Sequence, residues 1–147
     1  MKQKFIDLYM AWADRTAQLS HAKRLQVGAV IVKDDSVISY GYNGMPAGWD
    51  NNCEDEIIVE QDEKFIRTLK TKPEVLHAES NAIAKLAKSS QSGSNASVFV
   101  THAPCLSCAK LIYQSGISNV YYRNSYRDVA GVEFLEKSGV SVTKYET

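Results

Sequence analysis

Apolar positions along the chain change their period several times, and each change marks an element. Between residues 3 and 19, Phe5, Leu8, Tyr9, Trp12, Thr16 and Leu19 recur at three- and four-residue intervals while Asp7, Asp14 and Arg15 fall off the stripe. That spacing predicts an amphipathic helix with Trp12 in the core. Residues 26–32 form an unbroken run of small and β-branched side chains, the pattern of a buried strand. Asp34-Asp35-Ser36 then turns the chain into a second strand over 37–42, so the pair reads as an antiparallel hairpin. Asn43-Gly44, Met45-Pro46 and Gly48 punctuate a loop that also carries Trp49. Residues 54–72 are rich in Glu, Asp and Lys; Ile57, Ile58, Phe65, Ile66 and Leu69 suffice for one short helix, with part of the stretch expected to be mobile. After Pro73, Leu76, Ala82, Ile83 and Leu86 line one side of a helix over 75–87.

The second half alternates strand and helix. A surface loop at 89–97 precedes a strand over 97–101, a helix over 105–114 stopped by Ser115-Gly116, and a strand at 120–122. A helix near 129–137, ended by Gly139, and a strand over 140–143 complete the pattern. Alternation of this kind calls for parallel strands joined by right-handed crossovers. The expected fold is α/β: a three-layer α/β/α sandwich around a mixed five-stranded sheet, in which the hairpin supplies the one antiparallel pairing. Residues 1–147 are expected to form a single domain.

Composition narrows the function. Lys plus Arg and Asp plus Glu number 17 each, so the formal net charge is zero. This argues against tRNA or duplex DNA as the main partner, because affinity for an extended polyanion comes largely from phosphate neutralisation. Residues 1–6 hold two lysines and lead into Asp7 rather than an apolar signal core, and no run approaches the ~20 apolar residues of a membrane span. A cytoplasmic location is expected. Three cysteines, two of them in one C-x-x-C, do not make a disulfide framework.

Chemistry concentrates in His77-Ala78-Glu79 and Pro104-Cys105-Leu106-Ser107-Cys108. Catalytic zinc sites use three protein ligands and keep a fourth position open for water. His77, Cys105 and Cys108 supply three, each segment falling at a predicted helix start, where the positive helix end favours thiolates. Glu79, two residues after His77, is more useful free, as the carboxylate that moves the water's proton. A structural zinc would close with a fourth Cys or His, and the spare candidates Cys53, His21 and His102 are neither paired nor in tandem.

H-x-E followed by P-C-x-x-C is the signature of zinc-dependent nucleobase deaminases. With residues 26–32, the Gly41-Tyr42-Asn43-Gly44-Met45-Pro46-Ala47-Gly48 loop, residues 77–83, residues 104–110 and Gln114-Ser115-Gly116-Ile117, the chain resembles the cytidine and deoxycytidylate deaminase family. Within it the chain is most similar to deoxycytidylate (dCMP) deaminases, those of phages included. The resemblance implies hydrolysis of dCMP to dUMP and ammonia, with one Zn2+ per chain on His77, Cys105 and Cys108 and Glu79 as proton shuttle. It implies Asn43 at the sugar hydroxyl; Arg24 leads for the 5′-phosphate, ahead of Lys23 and Arg127, and Ala78 and Tyr126 stand at the substrate. It also implies a homo-oligomer, often a hexamer, activated by dCTP with Mg2+ and inhibited by dTTP, with Tyr42, Gly44 and Pro46 in the effector-binding region. Asn81 is read as a brace of the site, and Cys53 as an ordinary thiol rather than part of a second zinc site. Whether dCTP or another cytosine or adenine nucleoside is also a substrate stays open, as does a zinc-stabilised binding module without catalysis.

Overall fold

The structure, a computed structural model, describes residues 1–147. In chain order it comprises α1 (Gln3–Ala17), β1 (Gly28–Lys33), β2 (Ser36–Tyr42), β3 (Glu54–Gln61), β4 (Lys64–Thr71), α2 (Ala78–Ala87), β5 (Ser97–His102), α3 (Leu106–Gln114), β6 (Asn119–Asn124), α4 (Ala130–Lys137) and β7 (Ser141–Lys144). Five strands form one sheet in the order β2-β1-β5-β6-β7. Period-two alternation sends the side chains of each central strand to opposite faces. Ala29, Ile31, Val98, Val100 and Val120 pack with α2, α3 and α4, while Val30, Val32, Phe99 and Tyr121 pack with α1. A sheet covered on both faces needs continuous apolar strands, which is why 28–33 and 97–102 read as unbroken runs. The three-layer sandwich with a mixed five-stranded sheet is therefore present. No helix is long and apolar enough to cross a membrane.

The sheet's polarity differs from expectation. β1 pairs antiparallel with both β2 and β5, whereas β5, β6 and β7 run parallel. The crossover through α2 makes β5 parallel to β2, but β5 lands beside β1, so β1 alone runs against the other four.

Residues 54–72 correct a second expectation. In place of a short helix, β3 and β4 form a separate two-stranded ribbon with all eight residues of each strand in register. Asp62 and Glu63 turn it with positive φ of 52° and 62°, the same backbone that Asp34 and Asp35 adopt between β1 and β2 at 50° and 59°. Two successive positive-φ residues match the right-handed twist of a hairpin, and an aspartate tolerates them. Ile57, Ile58, Val59, Ile66 and Thr68 are β-branched and suit extended backbone better than a helix.

The buried stripe of α1 is also rotated. Tyr9, Met10, Ala13, Thr16 and Ala17 face inward, while Leu8, Trp12 and Leu19 are exposed, Trp12 by 45%. Close approach decides this: a Cβ on Gly28 would lie 2.2 Å from Ala13 O and 2.5 Å from Ala17 N. Only the small-residue face of α1 can sit that near β1, so the tryptophan is turned outward.

Candidate active site

Both metal-ligand segments begin helices, one residue earlier than a first-turn placement would put them. His77 is the N-cap of α2 and Cys105 the N-cap of α3, each with extended backbone and neither using its side chain as a cap. Their side chains are thus free at the positive ends of two helices. Cys108 lies three residues beyond Cys105 on α3, and His77 Nδ1 is 3.3 Å from Cys108 Sγ and 3.6 Å from Cys105 Sγ. The three donor atoms lie within 4.8 Å of one another, and no other group of three His, Cys, Asp or Glu side chains converges in this way. Tetrahedral zinc, bonded to nitrogen at about 2.0–2.1 Å and sulfur at about 2.3 Å, separates such donors by about 3.6 Å, so the triad fits the ion.

The electrostatics suit the same ion. Cys105 is drawn down to about 4 by hydrogen bonds from Cys108 and His77, and is held as a thiolate. Cys108, hydrogen-bonded to that thiolate and buried, moves the opposite way. Glu79, in the first turn of α2 and 5% exposed, has its carboxyl pushed up to about 7, chiefly by burial.

A cleft of about 670 Å³ opens over this centre. His77, Ala78, Glu79 and Cys105 line it together with Arg24, Asn43 and Tyr126, whereas the weaker phosphate candidates Lys23 and Arg127 lie outside its lining. Asn43 braces the approach to β1: its Oδ1 accepts from Val27 N at 2.9 Å and its Nδ2 donates to Leu25 O at 2.8 Å. Each of those atoms keeps one further bonding position, a lone pair on Oδ1 and a hydrogen on Nδ2. Arg24 donates from Nη1 to Thr71 Oγ1 at 3.1 Å and, with Tyr126, Arg127 and Asp128, frames a shallow depression at the edge of the cleft. Asn81 donates to Tyr42 O at 2.8 Å, tying α2 to the end of β2. His102 also lines the cleft, 2.9 Å from Thr101 Oγ1 through Nδ1. Tyr42, Gly44 and Pro46 line a different groove of about 1190 Å³, shared with Asn43, Asn81, Lys85 and Lys88.

Two features escaped the sequence reading. The base of the β3–β4 ribbon contributes Cys53, Glu54 and Thr71 to the cleft. The acidic pair Asp62-Glu63 between two β-branched runs was the available signal. Gly131 of α4 is the other: a Cβ there would lie 2.1 Å from Pro104 O and 2.8 Å from Cys105 O. Helix α4 thus seats the backbone of a metal ligand, and nothing in the local sequence marks it. Gly131→Ala is expected to cost about 1–3 kcal/mol through overpacking and to lower zinc retention, read by thermal melting and metal content; unchanged values for both would refute the close contact.

A mixed sheet flanked by helices, with His, two Cys and a buried Glu meeting at two helix starts, defines a zinc-dependent hydrolytic centre. The profile described as the cytidine and deoxycytidylate deaminase zinc-binding region matches residues 3–124, and the chain belongs to that family. It is 39% identical over 139 residues to ComE operon protein 2 of Bacillus subtilis, covering 94% of this chain and 69% of that one. Human deoxycytidylate deaminase is 35% identical over 150 residues, covering 95% and 78% respectively. Among solved structures, the dCMP deaminase of cyanophage S-TIM5 in complex with dCMP and dUMP superposes with a TM-score of 0.87 at 42% identity, covering 99% of both chains.

Proposed function

We propose that residues 1–147 act as one deaminase domain that hydrolyses dCMP to dUMP and ammonia. The reading is carried by one cleft that unites the His77, Cys105, Cys108 and Glu79 centre with Asn43 and Arg24, in a chain matching end to end a protein crystallised with dCMP and dUMP. Bound zinc would supply Lewis acidity, bringing the pKa of a coordinated water to about 7. Glu79 takes a proton from the attacking water and gives it to ring N3, then takes the second proton from the oxygen now bonded to C4 and gives it to the amine, which leaves as ammonia. A carboxyl whose pKa lies near neutrality can do both, since general acid–base efficiency peaks close to the working pH. The starts of α2 and α3 hold their ligands with backbone amides directed at the anionic thiolates. The free valences of Asn43 serve a sugar oxygen, and the backbone beside Ala78 borders the base. The 5′-phosphate lies toward Arg24, Tyr126 and Arg127, where the cations are.

One zinc per chain fits the walls around Cys53, which are Ala22, Val75 and Met45 rather than further ligands. A dCTP effector with Mg2+, or dTTP, would occupy the groove of Tyr42, Gly44 and Pro46, where Lys85 and Lys88 supply positive charge. The exposed faces of α1 and the β3–β4 ribbon, with Trp12 and Phe65 uncovered, are consistent with a homo-oligomer. Ammonia release from dCMP, dCTP, cytidine and adenosine, with zinc quantified and dCTP present or absent, tests the reading. dCMP is expected to be the best substrate, and Arg24→Ala to raise its KM about tenfold without changing turnover of deoxycytidine. Release from adenosine alone would refute it.

A further inference from the structure

The chain has three cysteines, and they differ in what they can reach. Cys53 is buried among Ala22, Val75 and Met45. Cys105 and Cys108 share the start of α3, and their sulfur atoms lie within 4.8 Å of each other in the metal-binding triad. The two are unequal. Cys105 lines the open cleft, whereas Cys108 is 2% exposed and lies outside the cleft lining. A small molecule entering the cleft therefore meets the sulfur of Cys105 first. Two side chains three apart inside a helix keep their Cβ atoms about 5–6 Å apart, whereas a disulfide needs about 3.5–4.5 Å. Cys105 is not held to the helical spacing. As the N-cap of α3 it has extended backbone, φ −70° and ψ 170°, and its side chain makes no cap hydrogen bond. Its carbonyl meanwhile accepts from Ala109 N at 2.8 Å and rests against Gly131 of α4. The pair can therefore close by side-chain rotation, with the start of α3 kept in place.

We propose that Cys105 and Cys108 form a redox switch, in which a hydroperoxide converts the pair to a disulfide and frees the metal. The inference rests on the zinc reading of the triad given above. The Cys105 thiolate attacks the terminal oxygen of the peroxide; an S–O bond forms, the O–O bond breaks, and hydroxide or alkoxide leaves. The sulfur of Cys108 then attacks the sulfenic sulfur of Cys105. An S–S bond forms, the S–O bond breaks, and a second hydroxide leaves. Two electrons pass from the sulfur pair to the peroxide, and two protons from solvent neutralise the two anions released. The thiolate is the form of cysteine that binds a metal, so the disulfide leaves His77 as the single remaining donor and zinc dissociates. The closeness of Cys108 also protects Cys105. It captures the sulfenic acid before a second peroxide drives it to the sulfinic acid, which thiols do not reduce. A reducing thiol returns both cysteines, and the centre refills.

The test treats zinc-loaded wild type with hydrogen peroxide. Released zinc is read with a chromophoric chelator, free thiols after denaturation, and the mass of the peptide that holds Cys105 and Cys108. One zinc per chain is expected to leave, with free thiols falling from three to one. The peptide should lose about two mass units, its two thiol hydrogens. The melting temperature should fall to that of chelated protein, and dithiothreitol with added Zn2+ should restore thiols, metal and melting temperature together. A Cys53→Ser protein should release its zinc in the same way. Zinc retained with all thiols intact would overturn the proposal. So would zinc loss with Cys105 found as sulfinic or sulfonic acid, which dithiothreitol does not reverse, or a disulfide that includes Cys53 or joins two chains. If reduced protein supplied with Zn2+ holds no metal, the reading of the centre itself fails and takes this inference with it.

Discussion

A Glu79→Gln protein is expected to bind zinc as wild type does and to turn over dCMP about 10²- to 10⁴-fold more slowly, the span attributed to general acid–base catalysis. The substitution preserves size and hydrogen-bonding reach but removes the group proposed to carry protons between water, N3 and the departing amine. His77, Cys105 and Cys108 still converge, because their positions come from the starts of α2 and α3. Near-wild-type turnover would mean that another group moves the proton. The variant has a second signature in metal-free protein. Burial holds the Glu79 carboxyl near 7 in the fold, against an ordinary value of 4.5. Between those values the folded state binds more protons than the unfolded state, so stability falls as pH rises through the window. The loss from this one group amounts to about 3 kcal/mol above pH 7. Denaturant titrations of metal-free protein at pH 5 and pH 8 should show that fall in wild type and a smaller one in Glu79→Gln. Identical pH dependence in the two would refute the burial argument.

Removing the metal is the other large perturbation. The triad joins two helix starts separated by β5, so an ion held there binds the folded chain and not the unfolded one. With free zinc a thousandfold above its Kd, linkage gives about 4 kcal/mol of stabilisation, or about 8–16 °C in melting temperature for a chain of this size. Chelation is expected to lower the melting temperature by that amount, with recovery on adding Zn2+. Cys105→Ala should melt near the chelated wild type and show little response to added zinc. A Cys105→Ala protein stabilised by zinc as much as wild type would exclude Cys105 as a ligand.

Much of this molecule was legible one residue at a time. The runs at 26–32 and 97–101 identified the two central strands because a strand buried on both faces cannot alternate polarity. The second half could be read as crossovers because its strands and helices alternate, and the metal triad because its two motifs, His77-Ala78-Glu79 and Cys105-x-x-Cys108, are each local and their chemistry narrow. Legibility failed where three-dimensional partners decide. Trp12 belonged to a plausible stripe, but the close approach of Gly28 to Ala13 and Ala17 left room only for small side chains. Residues 54–71 held apolar positions compatible with either period, and their register became decisive only once Glu54 was anchored under Lys23 and Arg24. Gly131 touches Cys105 across 26 residues of sequence, a separation at which no local pattern survives.

The sequence by itself determined the chemistry: which side chains could hold a metal, which carboxylate stays free, and which segments become the central strands and the helices that carry the metal ligands. Those properties follow from residue type and short spacing, which are local. Only the tertiary structure decided how the site is enclosed. It placed β1 against β5, brought the ribbon's base over the cleft, seated α4 on the loop of Cys105, and left one oxygen of Glu54 without a partner. Enclosure depends on contacts between segments far apart in the chain, and the energy of each contact exists only once both sides are in place.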